Sequence, residues 1–151
     1  MQNELMTIEE RVQRMEDLEG IRHLFTSYAQ YLDHADYDAY AELFAISGQL
    51  DLGPAGQANG RAAIRALIEK LVQHRNAPVR HIISSPVIRL NGAHATASVM
   101  WTMLSCSSDG RPVIGMVGHH ENIIVKEDGV WKFQRLEGRI DIGSLPQRQE
   151  Q

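Results

Sequence analysis

Residues 123–133, IIVKEDGVWKF, contain two apolar segments that are joined by a Glu-Asp-Gly turn. An Asp-Gly pair between apolar segments indicates a β-hairpin, because a tight hairpin turn favours residues that accept a positive φ. Two further turn sequences, Asn-Gly at 91–92 and SSDGRP at 107–112, divide the rest of the second half. Short connections make consecutive strands antiparallel neighbours. The sequence therefore predicts a meander of four strands, over residues 79–90, 93–107, 112–126 and 130–142.

The first half of the chain has helical periodicity. Thr7 and Glu10 form a capping-box pattern, and apolar residues then recur at steps of three and four: Ile8, Val12, Met15, Leu18, Ile21, Phe25, Tyr28 and Leu32. Gly20 is expected to break this helix and to leave residues 1–19 as a helical arm that can pack on a neighbouring chain. Two shorter helices are expected next, one capped by Asp36 and one capped by Asn59 and ended before Pro78. Helices followed by a meander are typical of an α+β fold.

The length and composition fit one domain over residues 1–151, with residues 146–151 as a loose tail. The net charge of -4 argues against nucleic acid or an anionic membrane as the main partner. No apolar run reaches the length of a bilayer, and the charged N-terminus lacks a signal-peptide core. The single cysteine, Cys106, excludes an internal disulfide and fits a reducing compartment, so a cytoplasmic location is expected.

The end of the first helix, YAQYLDHADYDAY at 28–40, places Asp33 where the apolar periodicity predicts burial. A buried carboxylate needs a partner. His81 in PVRHIIS is a candidate, because strand alternation puts it on the same face as Val79 and Ile83. A carboxylate beside a histidine fixes its tautomer and stabilises the imidazolium, so that the other nitrogen can act as a base. The alternatives are an Asp33 that faces water and a His81 that is bonded to a backbone carbonyl.

Two further residues could carry chemistry. Tyr28 is on the apolar helix face and could donate a proton to a departing or developing oxyanion, or be a core tyrosine. His120 in GHHEN shares a strand face with Met116, Asn122 and Ile124 and ranks below His81. Metal, phosphate and dinucleotide motifs are missing from the sequence, so no cofactor is predicted.

The chain as a whole resembles the SnoaL-like branch of the nuclear transport factor 2-like superfamily. The resemblance rests on YAQYLDHADYDAYAELF, the helix that begins GRAAI, the strand RHIIS and the segment KEDGVWKFQRLEGRID. It implies a cone-shaped α+β barrel with cystatin-like topology, in which the N-terminal helices pack in a curved antiparallel sheet around an apolar pocket. The protein is more closely similar to the branch that contains scytalone dehydratase, bile acid 7α-dehydratase and hexachlorocyclohexane dehydrochlorinase.

That resemblance matches Asp33 and His81 to an aspartate and a histidine that the enzymes of this branch share. It also matches Tyr28 to a tyrosine of the bile acid enzyme and His120 to an asparagine of the scytalone enzyme. Leu32 stands where the dehydratases have a second tyrosine. The resemblance implies a lyase that eliminates or isomerises a small hydrophobic or cyclic molecule without a cofactor. His81 would be the base, Asp33 its partner, and Tyr28 the acid, with Trp101, Met116, His120, Asn122 and Ile124 around the substrate. The apolar wall of the implied pocket is expected among five residues, which strand parity does not allow all to face inward: Met100, Trp101, Met103, Met116 and Ile124. A homo-oligomer, either a dimer or a trimer, is also implied.

Two other functions remain open at this stage. The first is a binding domain of the same fold that holds a small ligand without chemistry. The second is a small structural subunit of a ring-hydroxylating oxygenase, which is another use of this fold.

Overall fold

A computed structural model describes residues 6–144 as three α-helices and a seven-stranded sheet. The helices are α1 (Ile8–Asp33), α2 (Tyr37–Glu42) and α3 (Arg61–Val72). A short 3₁₀ turn covers Gly53–Ala55. The strands are β1 (Phe44–Asp51), β2 (Gln57–Asn59), β3 (Arg80–Ile83), β4 (Val87–Asn91), β5 (His94–Cys106), β6 (Pro112–Glu127) and β7 (Val130–Gly143).

The helices pack in a curved sheet that stays open, in the strand order β2-β1-β7-β6-β5-β3, with β4 also paired to β5. The predicted α+β fold class and the meander over β4 to β7 are confirmed. One pair departs from the antiparallel expectation, because β1 runs parallel to β7. The chain reaches β7 from β1 only after passing through α3 and five other strands, and local turn signals do not determine that pairing.

The hairpin turns follow the predicted glycines. Asp128 and Gly129 both have positive φ, 50° and 79°, so the Asp-Gly pair forms the turn between β6 and β7. The segment predicted as one strand over 79–90 is two strands, which are separated by Ser84, Ser85 and Pro86. β3 pairs with the end of β5, whereas β4 pairs with its beginning. Because of this break, β3 has its own register with β5, in which His81 lies opposite Met103.

The predicted N-terminal caps of α1 and α2 are confirmed, whereas the predicted cap of α3 and the predicted break in α1 are wrong. The capping box at Thr7 and the Asp36 cap are both present. The Asn59 cap is wrong, because Asn59 ends β2 and Gly60 precedes α3 with no side-chain cap. The predicted break at Gly20 is also wrong, because α1 runs through it without interruption. A Cβ at Gly20 would lie 2.9 Å from Cδ1 of Trp131, so this glycine allows close packing rather than a helix end.

The core lies between the inner face of the sheet and the buried faces of the helices, and Phe25, Tyr40, Phe44 and Phe133 form its aromatic centre. The first turns of α1 extend beyond this core, so Ile8, Val12 and Met15 are exposed. No helix within residues 6–144 is both long and apolar enough to cross a membrane. The predicted tail at 146–151 and the first five residues of the predicted arm lie outside the described residues.

Candidate functional site

Asp33 and His81 meet where the end of α1 lies against β3. One carboxylate oxygen of Asp33, Oδ1, is 2.6 Å from Nδ1 of His81. The other oxygen, Oδ2, accepts the backbone N–H of His81 at 2.9 Å. The two side chains are only 6% and 8% exposed. Asp33 therefore holds both the ring and the backbone of His81, which fixes the ring's position relative to the strand.

The contact between Nδ1 and Asp33 determines the tautomer of a neutral His81. An ionised carboxylate only accepts hydrogen bonds, so the Nδ1 atom that faces Asp33 must carry the proton. The lone pair of the neutral ring is then on Nε2. A positive charge that forms on the ring after proton uptake at Nε2 would face the Asp33 carboxylate, which stabilises it.

Tyr28 and His120 meet deeper in the fold, and the Tyr28 hydroxyl lies 3.4 Å from Nε2 of His120. Burial lowers the pKa of His120 to about 3, with smaller contributions from the charges of His81 and His119. Burial likewise raises the pKa of the Tyr28 hydroxyl. His120 is therefore a neutral imidazole at physiological pH and Tyr28 a protonated phenol, and either can take part in a neutral hydrogen bond.

The Trp101 indole lies between the two histidines. Its ring centroid is 6.3 Å from that of His81 and 6.0 Å from that of His120. Two glycines provide the space for these rings. A Cβ at Gly118 would lie 2.4 Å from Trp101, and a Cβ at Gly138 would lie 3.2 Å from His120. The residues of β5 and β6 thus connect the Asp33–His81 pair to Tyr28 through an aromatic wall.

Four buried polar side-chain atoms in this region have no hydrogen-bond partner among the described residues. They are the Tyr40 hydroxyl, Nε1 of Trp101, Nδ1 of His120 and Oδ1 of Asn122. The amide nitrogen of Asn122 donates to the carbonyl of Ala97, so only its oxygen is left. Buried polar groups are normally hydrogen-bonded, and a group of unpaired atoms indicates a place that water or a polar ligand can occupy.

The structure sorts the residues that were expected to line the pocket. Trp101, Met103 and Met116 form a small buried cluster on the inner face of the sheet. Met100 faces outward and is 63% exposed, so its inclusion in the wall was wrong. Ile124 is fully buried, but it belongs to the main core rather than to the Trp101 cluster. The predicted strand parity of His120 with Met116, Asn122 and Ile124 is confirmed, because all four are buried.

A depression of about 420 Å³ opens beside Asp33, between the end of α1 and the segment that follows α3. Asp33, Tyr37, Val72, Arg75 and Val79 are among its lining residues. Sequence reasoning missed Arg75, for which the sequence holds no signal, and Tyr40, which the spacing to Tyr37 on one face of α2 could have indicated. Within residues 6–144, no three histidine, cysteine, aspartate or glutamate side chains are grouped to hold a metal.

The SnoaL-like domain family model matches residues 13–137, so the chain belongs to that family. A solved NTF2-like protein with a cystatin-like fold from Novosphingobium aromaticivorans is 26% identical, with a TM-score of 0.81 over 94% of this chain and 93% of that one. A candidate scytalone dehydratase from the same organism is 22% identical, with a TM-score of 0.77 over 90% and 91% of the two chains.

The β subunit of a candidate aromatic-ring-hydroxylating dioxygenase, also from Novosphingobium aromaticivorans, is 15% identical, with a TM-score of 0.75 over 85% and 92% of the two chains. A search of curated proteins gave no match. At identities below 25% the last two structures show the shared fold alone.

Proposed function

We propose that this SnoaL-like protein is a cofactor-independent lyase that acts on a small hydrophobic or cyclic molecule. The observation that supports the proposal most strongly is the pair of hydrogen bonds that His81 donates to Asp33, one from its ring and one from its backbone. A structural histidine needs one such partner. A carboxylate that takes both Nδ1–H and the backbone N–H leaves Nε2 as the base and prepares the site for a positive ring.

In the proposed reaction, Nε2 of His81 removes a proton from a carbon next to an electron-withdrawing group. The electrons of that C–H bond form a double bond to the adjacent carbon, from which water or another leaving group departs with its electron pair. Asp33 stabilises the imidazolium. Tyr28, whose hydroxyl is paired with the neutral His120, donates its proton to a departing hydroxide so that water leaves, or a hydrogen bond to a departing halide. A general base of this kind contributes roughly 10²–10⁴-fold to the rate.

The surroundings support a ring-shaped, largely apolar substrate. Trp101 provides buried apolar surface beside both histidines, and Met116 packs in the same cluster as Trp101. The unpaired atoms of His120 and Asn122 provide polar groups that can orient a substrate oxygen. A pocket with mostly apolar walls and a few directed polar atoms is the usual form of a small-molecule site.

The test is a screen of cyclic hydroxy and halo compounds with an activated C–H bond, in which mass spectrometry detects the loss of water or hydrogen halide. His81→Ala and Asp33→Asn should each abolish turnover of any substrate found, while circular dichroism and the melting temperature show a retained fold. His119→Ala is the matched control, because that histidine is next to His120 but faces outward. A substrate that both variants still convert would contradict the proposal.

A binding domain without chemistry is the second candidate, and the unpaired buried atoms support it as well as they support a lyase. It predicts a ligand that stays chemically unchanged and that His81→Gln still binds with similar affinity. A structural subunit of an oxygenase instead predicts a constitutive larger partner, which affinity purification from the native organism would recover.

We also infer self-association through the outer face of the sheet. Ile82, Met100 and Ile142 are 56%, 63% and 69% exposed and point to this face. Apolar patches of this kind are typical of protein interfaces. Sedimentation should show a dimer or trimer that Met100→Lys weakens, and a monomer at every concentration would exclude it.

A further inference from the structure

Arg75 lies in the wall of the depression that opens beside Asp33. It belongs to the segment between α3 and β3, three residues after the last residue of the helix. Its side chain is partly buried, whereas most other arginines of the chain are exposed or form ion pairs. Arg75 therefore lines the same depression as Asp33, the residue whose carboxylate holds His81.

Within residues 6–144, Arg75 forms no ion pair and its side chain makes no hydrogen bond. Burial lowers the pKa of Arg75, and the charge of Asp33 opposes that effect. A guanidinium group stays protonated in proteins, so Arg75 carries a positive charge that is partly removed from water. A partly desolvated cation without a protein partner binds an anion more favourably than a fully solvated one does.

Asp33 does not meet this need. Its two oxygens accept hydrogen bonds from Nδ1 and from the backbone N–H of His81, so the carboxylate is directed at that residue. The Asp33 charge is near enough to influence Arg75, but no contact within ion-pair distance joins the two groups in the structure. The fork of donors on the guanidinium therefore remains available in the depression.

We propose that Arg75 binds an anionic group of the substrate, a carboxylate or a group of similar shape and charge, at the mouth of the site. The proposal rests on the lyase function stated above and narrows its substrate class to small cyclic or aliphatic acids. A carboxylate matches the planar guanidinium with two parallel hydrogen bonds. Val72 and Val79 in the same depression provide apolar surface for the carbon skeleton next to the acid group.

This arrangement would orient the substrate relative to the base. An acid group at Arg75 would place the rest of the molecule beside Asp33 and Val79, and Asp33 is the residue whose carboxylate holds His81. Arg75 also offsets the repulsion that a second negative charge near Asp33 would cause. Arg75 is thus a substrate-binding residue, and His81 keeps the role of base.

The experiment compares matched acids and amides as probes. Cyclohexanecarboxylic, benzoic and 2-naphthoic acids and their primary amides are titrated into the protein, and binding is followed by ligand-detected NMR and calorimetry. At least one acid should bind the wild type, and its amide should bind at least about 10-fold more weakly, since hydrogen bonds between charged groups contribute roughly 1.5–3 kcal/mol. Arg75→Gln should weaken acid binding by about 10- to 100-fold.

Arg89→Gln is the control, because it removes the same charge from an exposed position on β4. It should leave acid binding unchanged. Arg75→Lys keeps the charge but loses the paired geometry, so it should bind the acid with intermediate affinity. This variant also decides the outcome if Arg75→Gln does not fold.

Three results would overturn the inference: equal binding of acid and amide, acid binding that survives in Arg75→Gln, or no binding of any probe. His81→Ala separates this inference from the lyase proposal, because it should still bind the acid in an Arg75-dependent way. The probe acids carry no leaving group, so their binding tests the anion site alone. Acid binding at Arg75 together with a screen in which no hydroxy or halo acid is converted would retain the anion site and refute the lyase.

Discussion

The burial of His120 predicts a measurable loss of stability in acid. The imidazole is 2% exposed, and burial lowers its pKa from 6.5 to about 3. The unfolded chain therefore takes up a proton on this histidine at a pH where the folded protein does not. Its stabilising contribution is complete above pH 6.5 and is lost as the pH falls toward the folded value.

The magnitude follows from that difference. Below the unfolded pKa, the free energy of unfolding falls by about 1.4 kcal/mol for each pH unit. Between pH 7.5 and 5 the loss amounts to about 2 kcal/mol, because the folded pKa of about 3 lies well below this range. His120→Gln cannot titrate, so it should lack this part of the pH dependence whatever its stability at neutral pH.

The assay is urea unfolding of the wild type and His120→Gln at several pH values between about 7.5 and 5. All other titrating groups are common to both proteins, so the difference between the two curves isolates His120. The exposed His94 provides the control, because His94→Gln should follow the wild type. Parallel curves for wild type and His120→Gln would refute the buried, neutral state of this histidine.

Two further predictions concern the contact between α1 and β7. Gly20→Ala should lower the free energy of unfolding by about 1–3 kcal/mol, because its Cβ would lie 2.9 Å from Cδ1 of Trp131. Chemical denaturation measures this, and a neutral effect would show that the indole moves aside easily. Asp17 is buried and accepts hydrogen bonds from Nζ of Lys126 at 2.7 Å and from Nε1 of Trp131 at 3.1 Å. Asp17→Ala should therefore lower the free energy of unfolding by about 2–4 kcal/mol. Glu16→Ala, at the exposed neighbouring position, should leave it nearly unchanged in the same measurement. Equal effects of the two variants would contradict the role of Asp17.

The features of the fold that depend on neighbouring residues could be predicted from the sequence. Asp-Gly and Asn-Gly pairs determine hairpins through the φ angles of a few residues, and the Thr7 and Asp36 caps depend on contacts three residues apart. Such signals can be read directly. The parallel pairing of β1 with β7 joins distant segments, and the role of Gly20 depends on an indole more than a hundred residues later. From helix propensity alone, Gly20 is expected to break α1.

The candidate site shows the same division. Burial at Asp33 could be predicted from helix periodicity, and the inward face of His81 from strand alternation. Their pairing across 48 residues could be expected only from the family resemblance, because spacing does not reveal it. Arg75 has no periodic or motif signal, and its importance arises from how the segment after α3 folds against Asp33.

The most direct test of the central claim is the ¹⁵N NMR spectrum of the His81 ring, measured from about pH 5 to 9 in the wild type and in Asp33→Ala. The structure predicts that the neutral wild-type ring carries its proton on Nδ1 and leaves Nε2 unprotonated, and that this preference is lost in Asp33→Ala. A neutral wild-type ring protonated on Nε2, or a tautomer that Asp33→Ala leaves unchanged, would contradict the assignment of His81 as a base held by Asp33.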